Sequence, residues 1–133
     1  MIVGIGIDVV DLARFERALA RAPRLRERLF TEAEREQQGA SLAARFAAKE
    51  ALIKAFGGFG EFRWHEIEVI SRRGYRPTLA LHGAVAAQAG RLGAVRQHLS
   101  LSHDGGLAMA FVIAESDAPG HGPSAAEVVR GLG

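Results

Sequence analysis

The chain has 133 residues, 48% of them hydrophobic and 24% charged, with a formal net charge of +2. That is the balance of one folded domain with a real core, too short for two, and the absence of cysteine excludes disulfides, thiolate metal sites and a cysteine nucleophile. No apolar run approaches the roughly 18 residues of a membrane span, and no basic-then-apolar export leader opens the sequence, so a cytoplasmic protein that enters no membrane is expected.

The first element is a strand over residues 2–8, within "GIGIDVVDLARF". Asp8 interrupts its apolar run, and a carboxylate so placed needs a partner to offset its desolvation. Asp11 is the expected N-cap of a helix reaching about Arg21, with Leu12, Phe15 and Leu19 as its apolar stripe. Pro23 ends it. "FTEAERE" announces a further helix start, Thr31 capping and Glu34 in the capping-box position. The longest helix runs from Ser41 to about Phe56 and closes on "GGFG".

Two strands joined by a turn at Gly74, "EIEVISRR" and "RPTLALHG", come next, followed by the alanine-rich helix "GAVAAQAGRLG". "RQHLSLS" and "GLAMAFVIA" form a hairpin around "HDGG". The expected fold is α+β, a small antiparallel sheet packed against a long buried helix. Residues 1–115 form its single domain, and residues 116–133 form a Gly/Pro-rich tail with a short helix near 125–130.

The long helix carries charge where a packed helix should not. At about 100° per residue, Leu42, Phe46, Leu52, Ile53 and Phe56 share one side, and six alanines, from Ala43 to Ala55, occupy the other. Arg45, Lys49, Glu50 and Lys54 are its charged interruptions. Of 17 basic residues 15 are arginine, and the only two lysines, Lys49 and Lys54, both stand here. Glu50 and Lys54 alone would make an ordinary i,i+4 pair. Convergence of these charges on a polyanion is the sharper reading, with carboxylates reserved for a cation. Asp8 and Glu50 together are the donor set magnesium takes, one or two carboxylates completed by water and phosphate oxygens. His103 follows a strand and begins a glycine turn, where side chains meet ligands. The other histidines lack zinc-ligand spacing, and "GIG" lacks the third glycine of a dinucleotide fingerprint.

Residues 12–28 hold six arginines against two glutamates. Arg14, Arg17, Arg21, Arg24 and Arg28 recur at spacings of three and four, a surface for an acidic partner. Few aromatics accompany them, which argues against single-stranded nucleic acid. A non-catalytic basic module binding nucleic acid or an acidic protein is the alternative reading, but it gives Asp8 and Glu50 no task.

In order and separation, "GIGIDVVDLARF", "FTEAE", "RFAAKEALIKAFG", "WHEIEV" and "LSLSHDGGLAMAFV" resemble the holo-acyl-carrier-protein synthases, the small phosphopantetheinyl transferases, over roughly residues 2–114. The resemblance implies the 4′-phosphopantetheinyl transferase fold and a magnesium-dependent reaction. A serine of apo acyl carrier protein attacks the β-phosphorus of coenzyme A, and 3′,5′-ADP leaves. It implies Asp8 and Glu50 as metal ligands and Lys54 beside the pyrophosphate. It further implies Arg45, Ser102 and His103 at the phosphates of coenzyme A, and the arginine helix against the acidic carrier. Either Glu50 or a metal-bound water near Asp8 would take the serine proton. A homotrimer with sites between subunits is implied as well. Where the family often has Gly-Thr-Gly, this chain has Gly57, Gly58, Phe59 and Gly60.

Overall fold

In the computed structural model, which describes residues 1–119, β1 (Ile2–Asp11), β4 (Arg96–Asp104) and β5 (Leu107–Glu115) form an antiparallel sheet in the order β1-β5-β4. β2 (Ile67–Ile70) and β3 (Thr78–Leu81) form a second, two-stranded antiparallel sheet. The long helix α3 (Ala40–Ala55) packs chiefly on β1 and β5. Its first half meets α1 (Leu12–Arg21) and α2 (Leu25–Leu29), where Phe15, Leu29, Phe30 and Leu42 form one core. Its second half meets β2 and α4 (Gly83–Leu92), where Leu52, Ile67, Val85 and Val112 form the other. The α+β architecture is the expected one. The tail helix anticipated near 125–130 lies outside the described residues.

Local chemistry sets the boundaries. Asp11 accepts from the Arg14 N–H at 2.9 Å and caps α1 as expected. The strand before it is three residues longer than the sequence suggested, because Val9 and Val10 keep pairing with Met109 and Ala108. α3 ends in a Schellman motif, the Gly58 N–H on the Ile53 carbonyl and the Gly57 N–H on that of Lys54. Gly105 and Gly106 both have positive φ, as the two-residue turn between β4 and β5 requires.

The helix expected at "FTEAERE" is instead a single 3₁₀ turn, Glu34–Glu36. Its capping box does form: the Thr31 N–H donates to Glu34 Oε1 at 2.9 Å, and the Glu34 N–H to Thr31 Oγ1 at 3.3 Å. Glu34, however, is drawn into the core by Lys49 and the Val69 N–H, and the chain leaves the turn extended at Gln37. At the other end, Ser116 exchanges backbone hydrogen bonds with Met1, at 2.8 and 2.9 Å.

Candidate active site

Two glycines place the site. Along β1, Gly4 and Gly6 face α3, and a Cβ on either would lie 1.7 or 1.8 Å from the carbonyl oxygens of Ala55 and Ala51. Strand and helix backbones are therefore in direct contact, glycine against alanine, with no side chain between them. Asp8 is the next residue of β1 on that face, and the contact carries it to the flank of α3 that bears Glu50 and Lys54.

There Lys54 Nζ donates to Asp8 Oδ1 at 2.9 Å and to the Ile7 carbonyl at 3.0 Å. The i,i+4 partnership with Glu50 that spacing allowed is not the one formed: Lys54 reaches across to the strand. Partial burial raises the Glu50 carboxyl above its ordinary value, the negative charge of Asp8 raises it further, and Lys54 opposes both. Two carboxylates and one ammonium thus share a small volume at the edge of the sheet. No group of three or more His, Asp or Glu stands together among the described residues, so this is no closed metal cage. The donor set suits magnesium, which keeps water and substrate oxygens, and does not suit zinc.

The other charges of α3 face elsewhere. Arg45 is buried and donates through Nη1 to the Ser41 carbonyl at 3.2 Å and to Ser41 Oγ, while its Nε has no protein partner. Burial lowers its pKa, against a smaller opposing effect of Glu34. Lys49 is fully buried against Glu34, 2.6 Å away. Sequence reasoning missed Glu34 as a core residue. It saw a capping box alone, and no local signal shows that Val69, 35 positions onward, donates to the same carboxylate.

Ser102 and His103 are both exposed but part company. Pairing aligns Ser102 with Met109 and Val9 on the outer face of the sheet, and His103 with Ala108 and Val10 on the face turned to α3. β5 lies between His103 and β1, so at about 4.8 Å per strand the His103 backbone is roughly 10 Å from that of β1. One chain brings Asp8, Glu50 and Lys54 together and leaves Arg45, Ser102 and His103 apart from them. Arg14, Arg17, Arg21, Arg24 and Arg28 are all exposed, and among the described residues none is in an ion pair. Arg26 differs, donating to the Arg35 and Gln37 carbonyls at 3.1 and 2.8 Å.

Known proteins resemble the chain along most of its length. The 4′-phosphopantetheinyl transferase superfamily profile matches residues 4–112. A holo-[acyl-carrier-protein] synthase of Leifsonia xyli is 58% identical over 117 residues, 88% of this chain and 99% of the relative. The solved holo-[acyl-carrier-protein] synthase of Neisseria meningitidis superposes with a TM-score of 0.79 at 30% identity, over 87% of this chain and 100% of that one. The Bacillus anthracis holo-(acyl-carrier-protein) synthase, solved in complex with CoA (3′,5′-ADP), superposes with a TM-score of 0.70 at 38% identity, over 88% of this chain and 99% of that one. Such breadth of match, covering the strand and the helix that bear Asp8 and Glu50, leaves no room for a non-catalytic basic module: the chain belongs to the 4′-phosphopantetheinyl transferase superfamily and is a transferase.

Proposed function

We infer that the enzyme moves the 4′-phosphopantetheine of coenzyme A onto a serine of apo acyl carrier protein and releases 3′,5′-ADP. The observation that carries this reading is the meeting of Asp8, Glu50 and Lys54 at the glycine–alanine contact. Asp8 and Glu50 would hold magnesium, which supplies charge neutralisation on the pyrophosphate and orients its β-phosphorus. The serine oxygen forms a bond to that phosphorus, and the phosphoanhydride bond breaks with its electron pair leaving on 3′,5′-ADP. The serine proton goes to Glu50 or to a water held near Asp8. Lys54, fixed by the strand, offers a preorganised cation to the charge that grows on the departing phosphate.

Arg45, with one unpartnered buried N–H, and His103 with Ser102 hold the phosphates of coenzyme A in this reading. Because β5 separates His103 from Asp8 within a chain, a complete site draws His103 from a neighbouring copy. The outer face of the large sheet supports such an assembly. Ile5, Ile7 and Val9 are more than half exposed there, beside Met109 and Phe111, the kind of apolar patch that marks an interface. The homotrimer that the family resemblance implies is the assembly proposed, with this face as its interface. Arg14, Arg17, Arg21, Arg24 and Arg28 meet the acidic carrier, and charge matching of this sort speeds encounter and sets orientation. No described helix is long and apolar enough to cross a membrane, and a cytoplasmic reaction is part of this reading.

The test incubates the protein with apo acyl carrier protein, coenzyme A and magnesium and weighs the carrier by mass spectrometry. A phosphopantetheine adduct that forms only with magnesium is expected. Absence of the adduct across fatty-acid and polyketide carriers would sink the reading.

A further inference from the structure

Lys49 is the charged side chain of α3 that the transfer leaves without a task. Its buried ammonium donates to the Leu29 carbonyl at 2.8 Å, to Glu34 Oε1 at 2.6 Å and to the Trp64 carbonyl at 3.3 Å. An ammonium has three N–H groups, so each has an acceptor, and the three acceptors come from α2, the 3₁₀ turn and the segment before β2. Nζ also lies 5.3 Å from the centroid of the Phe30 ring. Glu34 is tied as firmly, accepting from the Thr31 N–H on Oε1 and the Val69 N–H on Oε2, both at 2.9 Å.

A buried ion pair is a poor stabiliser, since desolvation of two charges offsets their attraction and packed apolar side chains often do as well. What this pair supplies is direction. The face of α3 against β1 is alanine on glycine, without the interdigitating ridges that fix how a helix is turned. Lys49 and Glu50 are neighbours, about 100° apart around the axis, so anchoring one sets the heading of the other. Glu50 needs an anchor. It stands within the field of Asp8, like charges repel, and Glu50 already partly faces solvent. A helix free to turn would relieve that repulsion by swinging Glu50 outward.

We propose that Lys49 and Glu34 are positioning residues for the transfer: their buried pair sets the rotation of α3 so that Glu50 faces Asp8. The proposal rests on the assignment of Asp8 and Glu50 to the metal. Its test is the double variant Lys49→Met/Glu34→Gln in the full chain, which removes both charges at similar side-chain length. The variant stays folded at the assay temperature, by thermal melt. Its kcat falls by roughly 30-fold while the carrier KM changes by no more than about twofold, the signature of lost alignment rather than lost binding. Half-saturating magnesium rises, and in calorimetric titration magnesium no longer strengthens coenzyme A binding as it does in the parent. A purely structural pair would lower the melting temperature and leave the kcat-to-KM split and the magnesium response unmoved. A folded double variant with parental kcat and magnesium response overturns the proposal. So does one that cannot fold at the assay temperature, since the pair would then serve stability. Glu50→Gln in the same assay separates the two levels: if it stays active, the site assignment itself fails; if it is dead while the double variant is normal, only the positioning role fails.

Discussion

At the scale of single residues, the site holds together groups that folding alone would keep apart. Glu50 is the clearest case. Its carboxyl binds a proton more tightly folded than unfolded, first because of burial and then because of Asp8. By linkage, the stability tied to such a group is fully present below its unfolded pKa and is lost as pH rises through the folded one. Ionised Glu50 is therefore a load on the fold at neutral pH. In a chelator-containing buffer at pH 7, Glu50→Gln is expected to melt at a higher temperature than the parent, with the gap closing as pH falls below the ordinary carboxylate range. The same variant, like Asp8→Asn, should show no adduct in the mass-spectrometric assay. Equal melting temperatures at every pH would mean that the charge sits in no adverse field. Both acids were readable in the sequence, because each breaks an apolar stretch. Lys49 was visible for the same reason, but its partner was not: Glu34 lies in a polar heptapeptide, and its burial depends on a strand 35 positions away.

At the scale of elements, β1 and α3 behave as one unit because their backbones touch. The contact explains the pattern "GIGID": glycine where the helix passes, large residues on the other face, and the acid where the helix carries its own charges. Gly6→Ala would push a methyl group against the Ala51 carbonyl. Overpacking of this kind costs about 1–3 kcal/mol, occasionally more, and here it also displaces Asp8. The expected result is a lower melting temperature in differential scanning calorimetry together with a fall in kcat that persists in the folded fraction. Full activity per folded molecule would show that Asp8 does not depend on the contact. Most helices and the hairpins were legible from periodicity and glycine placement, and the end of α3 from its glycine cap. The single turn at Glu34–Glu36 was not, since the signal for helix entry was satisfied locally and then overruled by the pull of Lys49. Nor did any spacing announce α2, one helical turn after Pro23 that is held by burial of Leu29.

At the scale of the molecule, two surfaces remain to be covered, and they differ in kind. The outer face of the large sheet is a row of aliphatic side chains from β1 and β5 beside the polar edge of β4, Ser100 and Ser102. Placing a charge at its centre by Ile7→Glu should convert the assembly to single chains in sedimentation and abolish transfer, because His103 of a neighbour would no longer reach the carboxylates. An unchanged sedimentation coefficient would move the interface elsewhere. The second surface is the arginine ridge of α1 and α2. Reversing Arg14 and Arg21 to glutamate should raise the KM for carrier roughly tenfold or more through lost charge complementarity, with coenzyme A affinity unaltered in calorimetry. The arginine surface was legible from its spacing in the sequence, but the open sheet face was not. Alternation showed which side chains share a face, but which face stays open depends on where α3 lands.

That landing has a final consequence. The approach of strand to helix is set by main chain meeting main chain, and the turn of the helix by the buried Lys49–Glu34 pair. Softening of the core away from that seam and that pair therefore has little leverage over the site. The catalytic geometry should accordingly survive warming almost undiminished and then vanish in a single step, at the temperature where that seam unzips.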